Sequence, residues 1–289
     1  MIVLDGLDSI IRGTYHKTYD DSFGARSNLI ERDRIGVLFL NSLSPTRAAH
    51  GDSAVYWADS LAERGYPSFR LDLPGFGDSE GDPPTELIGF TDQGGCASIA
   101  SVKIRELVTR FNLSGVVIVE QCGGGVSALH AAASCPECKG LVLMDPCFYL
   151  PQEVSSKIQQ ERGEEVLQSC RQLSGSNYAP VKKPRLFLCG TVPPENAKFP
   201  PLRRWKEVVS TGLPILILTA SDWKAHGVKP RVAEFDYFKH FLGLAVRGSQ
   251  IVVKVLDCAD HSFANRRSRA TVRQHTEQWL NACFPLTKH

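Results

Sequence analysis

The segment Val116–Val126, VVIVEQCGGGV, decides the reading of this 289-residue chain. Its opening run of Val and Ile fits a short strand buried on both faces. One reactive side chain follows, Cys122, and then three glycines before an apolar helical stretch. A strand that turns sharply into a helix, with small residues around one nucleophilic side chain, is the arrangement of a nucleophile elbow. Such a turn strains the backbone at the nucleophile and lifts its side chain over the C-terminal end of the strand. The thiol of Cys122 would then face a helix N-terminus, whose positive end favours the thiolate. The N–H of Gly123 would face a developing oxyanion. The same pattern also fits a tight turn with an inert thiol as filler, so partners must be sought elsewhere.

Working outward, comparable apolar runs recur at Gly36–Leu40, Pro67–Leu73, Gly140–Met144, Pro214–Leu218 and Ile251–Leu256. Helical patterns lie between them, over Asp52–Gly65, Thr91–Phe111 and Val126–Ala133, and Arg269–Phe284 closes the chain. Strands alternating with helices predict a doubly wound, mostly parallel sheet with helices on both faces. Residues 1–34 are less regular and are read as a strand or hairpin leading into the sheet. One excursion breaks the rhythm. Residues 146–212 combine a helical stretch at Gln152–Leu173 with a proline-rich, loop-like stretch at Tyr178–Pro201, as expected of a cap over a site. The expected organisation is a core of residues 1–145 and 213–289, with the cap between.

Two further strand ends carry polar residues suited to the elbow. Leu256–Phe263, LDCADHSF, places His261 directly after the last strand, where it can act as general base. Pro214–Trp223, PILILTASDW, ends in Asp222, which can fix the imidazole tautomer and stabilise its charged form. Asp145, in MDPC after the GLVLM strand, competes for that role, and the reading takes Asp222 ahead of it. The order nucleophile, acid, base matches the α/β-hydrolase arrangement. After the GVLFL strand, Asn41–Pro45 occupies the place of the second oxyanion donor, assigned to Leu43 with Ser42 close behind. Arg70–Gly81, RLDLPGFGDSEG, is a strand followed by a glycine-rich turn.

Together DLPGFGDSEG, the CGGG elbow and ADHSF resemble the α/β-hydrolase superfamily. Within it the chain is most similar to hydrolases associated with the exosortase A system, in the serine-aminopeptidase-like group. The resemblance spans roughly residues 30–285 and is weakest in the cap. It implies an eight-stranded, mostly parallel sheet, a Cys122–Asp222–His261 triad with Gly123 as oxyanion donor, and acyl-group chemistry. One position departs from the pattern. The usual elbow has Gly two residues before the nucleophile, and here stands Glu120. A carboxylate beside the thiol would raise its pKa, so Glu120 is a candidate modulator of the site.

Composition narrows the rest. There are 33 Lys+Arg against 31 Asp+Glu, a net charge of +2, and 43% hydrophobic residues. No basic stripe points to nucleic acid, and the composition excludes a disordered chain. No apolar run reaches membrane-span length. Nine cysteines, an odd number in a long chain, are read as reduced thiols in a cytoplasmic setting. Cys135-Pro-Glu-Cys138 lacks the second pair that a zinc site would need, and no metal or cofactor is expected. Arg203-Arg204-Trp205-Lys206 is read as solvated cap surface, and Arg47 as structural rather than as a substrate contact. The expected function is attack on an ester, thioester or lactone, with a small-molecule acyl substrate that is either free or carrier-bound. The alternatives are an acyltransferase or cyclising thioesterase on the same triad, and a non-catalytic binding protein on the same fold.

Overall fold

The computed structural model describes residues 2–5, 10–18, 34–41, 46–49, 52–146, 199–220, 250–257, 259, 261–263 and 265–286. Numbered over these residues, the strands are β1 (Ile2–Asp5), β2 (Ile10–His16), β3 (Ile35–Asn41), β4 (Ser68–Asp72), β5 (Gly115–Gln121), β6 (Cys138–Met144), β7 (Ile215–Ala220) and β8 (Ile251–Leu256). The helices are α1 (Ser53–Glu63), α2 (Leu87–Asp92), α3 (Ala97–Arg110), α4 (Cys122–Ser134), α5 (Phe199–Ser210) and α6 (Arg266–Cys283).

The strands form one sheet in the order β1-β2-β4-β3-β5-β6-β7-β8. From β4 across to β8 every pairing is parallel, whereas β1–β2 and β2–β4 are antiparallel. The first residues therefore make the hairpin the sequence predicts, and it extends the sheet beyond β4. Alternation along each strand divides the core in two. Leu38, Leu40, Ile118, Leu141 and Leu143 pack with Ile104 of α3, Leu129 of α4 and Trp205 of α5. Val37, Phe39, Val117, Val119 and Val142 pack with Trp57 and Leu61 of α1 and with Val272 and Leu280 of α6. The central strands are apolar along most of their length because both of their faces are covered, and Asn41, Glu120 and Gln121 fall at their C-terminal ends.

One expectation is corrected. The predicted helix over Thr91–Phe111 is two helices, α2 and α3. They part at Gly94, which takes a left-handed φ of 76°, and a Cβ there would run into the ring of His130. A second observation bears on the end of the expected cap, residues 146–212. Residues 199–210 form a helix whose Leu202, Trp205, Val208 and Val209 are buried in the main core. Pro200 and Pro201 stand in its first turn, where no intrahelical N–H is needed. Residues 147–198 of the expected cap lie outside the described residues. Among the described residues, no helix is long and apolar enough to cross a membrane.

The placement of α5 has a direct test. Trp205 is fully buried, so Trp205→Ala should cost about 3–5 kcal/mol in urea unfolding. A surface-cap position would lose no more than about 0.5 kcal/mol.

Candidate active site

From β3 the chain builds outward to β4 on one side. From β5 it builds to β8 on the other. The reversal falls between β3 and β5, and in open parallel sheets ligands bind beyond the strand ends at such a switch point. A cavity of about 310 Å³ lies there. Its walls include Phe39–Asn41 at the end of β3, Val119–Cys122 at the end of β5, Trp57 of α1, and His261.

The elbow is formed. Gln121 is extended, with φ −120° and ψ 149°, and the next residue begins α4. Cys122 at the junction has φ 53°, a left-handed conformation costly for a residue with a side chain. Gly123 through Ala131 are all buried, so the helix cannot shift to relieve the turn. Cys122 itself is partly exposed and faces the cavity.

His261 stands in the loop after β8 and lines the same cavity. Its carbonyl accepts a hydrogen bond from Nε2 of Gln121, which ties the loop to the elbow strand. Its Nδ1 lies 3.4 Å from Oδ2 of Asp145. Asp145 follows β6 directly and is buried. Its other oxygen accepts a 3.0 Å hydrogen bond from the N–H of Ala220 at the end of β7. The carboxylate is therefore oriented by one strand end and aimed at the imidazole. Asp222, Leu43 and Ser42 lie outside the described residues. The Gln121 tether has no signature in the sequence, because its partner is a backbone carbonyl 140 positions away.

Glu120 also borders the cavity. Its Oε1 accepts from the N–H of Leu40 on β3. Its carboxyl covers Gly124, where a Cβ would collide with Oε2. Burial pushes this carboxyl well above the usual carboxylate range, and the N–H groups of Leu40 and Gln121 only partly oppose that.

Arg47 lies on the cavity wall, held by three side chains. It donates to Asp72 at 2.5 Å and Asp78 at 2.6 Å through Nη1, and to Thr14 at 3.1 Å through Nε. Asp72 is completely buried, and its carboxylate also accepts from Asn41 at 2.6 Å and from the Asp78 N–H at 3.1 Å. The glycine-rich turn wraps this carboxylate so closely that a Cβ on Gly77 would strike it. The structural reading of Arg47 agrees with this network.

Other candidates resolve plainly. Cys135 and Cys138 are buried free thiols, pushed by burial up to about 11 and about 12, so both stay protonated. Arg203 and Arg204 pair with Glu207 at 3.3 and 2.5 Å, and Trp205 between them belongs to the core.

Neither a scan against protein-family models nor a search of curated proteins found a match. Solved structures do resemble the chain. A complex of DcsB with its substrate analogue matches with a TM-score of 0.58 at 15% identity, covering 96% of this chain and 97% of that one. A thermostable carboxyl esterase from Bacillus coagulans matches with a TM-score of 0.58 at 13% identity, covering 98% of each chain. A dienelactone hydrolase from Anabaena variabilis matches with a TM-score of 0.54 at 12% identity, covering 97% of this chain and 95% of that one. At such identities the likeness establishes the fold, which is the α/β-hydrolase fold.

Two measurements follow. Arg47→Ala strands the Asp72 carboxylate in the interior and should destabilise the protein by about 3–5 kcal/mol, read by urea unfolding. Glu120→Gln bears on pH. A carboxyl whose folded pKa is raised holds its proton longer in the native state, so wild-type stability falls as pH rises from the unfolded value toward the folded one. Glutamine keeps the acceptor for Leu40 and lacks the charge. The variant should therefore gain on wild type as pH rises above about 4.5, and a pH-independent difference would contradict the raised pKa.

Proposed function

We propose that this chain is an acyl-cleaving enzyme in which Cys122 is the nucleophile, His261 the general base and Gly123 an oxyanion donor. One observation carries the reading. The residue held in the left-handed turn between β5 and α4 is a cysteine, and it shares a cavity wall with a histidine whose Nδ1 meets a buried carboxylate.

His261 takes the thiol proton as Sγ attacks an ester, thioester or lactone carbonyl. The carbonyl electrons move to oxygen, where the N–H of Gly123 and that of Leu43 would hold the charge, at about 3 kcal/mol per donor. The tetrahedral intermediate collapses, the bond to the leaving group breaks, and His261 returns the proton to that group. The product is a thioester on Cys122. His261 then activates water, which releases the acid and restores the thiol. A thioester is more reactive toward amines than an oxygen ester, so an acceptor amine or alcohol can replace water at this step. That substitution is the acyltransferase or cyclising alternative.

Asp145 supports His261 by its position against Nδ1. Asp222, after the neighbouring strand β7, remains the sequence-based candidate for the same role. Glu120 fits this chemistry because burial raises its pKa, which weakens the negative charge that would disfavour a thiolate. The likeness to exosortase A-associated hydrolases, a cytoplasmic setting that keeps the thiol reduced, and a cap insertion within residues 146–212 belong to the same proposal.

Intact-mass analysis after exposure to a panel of acyl thioesters should show an acyl adduct on wild type and none on Cys122→Ala. Cys122→Ala and His261→Ala should each lower turnover of a short-chain nitrophenyl ester about 10³-fold or more. Asp145→Asn and Asp222→Asn, measured side by side, assign the acid to whichever variant loses the larger factor. Unchanged turnover in Cys122→Ala or in His261→Ala would refute that residue's assigned role, and a wild type that forms no adduct and turns over no ester would leave the fold as a non-catalytic binding scaffold.

A further inference from the structure

The loop that carries His261 is held in two different ways. Ala259 and Phe263, on either side of it, are buried in the half of the core that lies against α1 and α6. These contacts fix how deep the loop sits. Apolar burial has no preferred direction, so it leaves the aim of the imidazole to polar groups. One of them is Asp145, whose Oδ2 stands 3.4 Å from Nδ1. That is longer than the roughly 2.7–3.2 Å of a well-formed hydrogen bond. The carboxylate steers the ring, and the ring's place also depends on the backbone beneath it.

Gln121 supplies the hold on that backbone. Side chains alternate between the two faces along a strand. Val117 and Val119 of β5 face the α1 and α6 half of the core, and Gln121 has the same parity. It therefore points to the side on which Ala259 and Phe263 are buried. Its backbone is extended, and it pairs in register with Met144, the residue before Asp145. Its Nε2 donates to the His261 carbonyl, and both residues line the Cys122 cavity. The acceptor is a backbone carbonyl, so the tether holds the chain that carries the imidazole and uses neither ring nitrogen. One peptide link separates Gln121 from Cys122. The path from base to nucleophile thus runs through one hydrogen bond and a strand paired with β6 up to its last residue.

We propose that Gln121 is a positioning residue for the general base, its amide setting the distance between the His261 imidazole and Sγ of Cys122. The inference rests on the acyl-Cys122 reading and adds a residue to it. Gln121 exchanges no proton and touches no reacting atom. Asp145 orients the ring, and Gln121 places it. Displacing a catalytic group by about 1 Å can cost two orders of magnitude in rate, so a single tether at this point has a large effect.

Two substitutions distinguish positioning from packing. Gln121→Met keeps the length of the side chain and removes the donor. The burst of nitrophenol that reports acylation of Cys122 should slow about tenfold, with little change in thermal unfolding. Gln121→Glu sets an acceptor against the carbonyl while ionised and a donor once protonated. The ratio of its acylation rate to that of wild type should therefore rise as pH falls toward the carboxylate range, while the ratio for Gln121→Met stays flat. Should Gln121→Met not fold, the pH dependence of Gln121→Glu decides alone. Wild-type acylation rates in both variants, or losses in both that do not vary with pH, would overturn the proposal.

Alkylation of Cys122 by iodoacetamide, read by peptide mass spectrometry, needs no turnover and separates this inference from the reading it rests on. Cys122 should react about fivefold faster in wild type than in Gln121→Met or His261→Ala. That difference in a protein that consumes no ester would keep the positioning role and discard acyl cleavage. Ester turnover with equal alkylation and equal acylation in wild type and Gln121→Met would keep acyl cleavage and discard the positioning role.

Discussion

The site depends on a single backbone constraint, that the chain leave β5 and enter α4 within one residue. Cys122 meets it by adopting φ 53°, at a cost on the order of 1–3 kcal/mol. Such a conformation persists only if its surroundings allow no alternative. Here β5 is hydrogen-bonded on both edges, to β3 and β6. α4 is buried almost all round, against α3, α5 and β6. Relaxing the turn would mean sliding a central strand or withdrawing a core helix, and either would expose far more apolar surface than the strain is worth. The side chain at the turn is thereby held at the cavity wall and not left to sample rotations of a flexible loop.

The wall facing the elbow is stiffened by polar means. Asp72 joins the end of β3, through Asn41, to Arg47 and to the glycine-rich turn. The carbonyl of Arg47 in turn accepts from Arg70 at 3.2 Å. Arg70 donates through Nε to Nε2 of His16 at 2.9 Å, which leaves the His16 proton on Nδ1, facing Asp59 at 2.5 Å. Burial holds the His16 pKa below its ordinary value, consistent with the neutral ring this chain of donors requires. A network satisfied at this many points fixes the register of β2, β3 and β4 around the cavity. It also explains why an arginine on that wall is already committed to the protein's own carboxylates.

Much of this could be read from the sequence, and what could not has identifiable causes. Doubly apolar runs such as GVVIV have one stable destination, a central parallel strand, so the sheet was legible. The elbow was legible because a cysteine followed by three glycines at a strand end is a local pattern. The acid was not separable. Asp145 and Asp222 follow β6 and β7, which are neighbours in the sheet, so both strand ends open on the same rim. Only the third dimension brings Asp145 to His261. Helix α5 was obscured because prolines normally signal loops, and in the first turn of a helix they do not. The division of α2 from α3 depends on what Gly94 faces across the fold, which periodicity along one segment cannot report.

Glu120 shows how one departure from the expected pattern is absorbed by another feature of the same segment. The position two residues before the nucleophile ordinarily holds glycine because little room exists there. In this chain the room is found two residues after Cys122, at Gly124, which the Glu120 carboxyl covers so closely that any side chain would collide with it. The middle glycine of CGGG is thus as much a partner of Glu120 as an element of the turn. The Leu40 N–H, at the strand end facing β5, fixes the other side of the same carboxyl. Burial of the enclosed group raises its pKa, which lessens the negative charge that a carboxyl would otherwise set beside the Cys122 thiol.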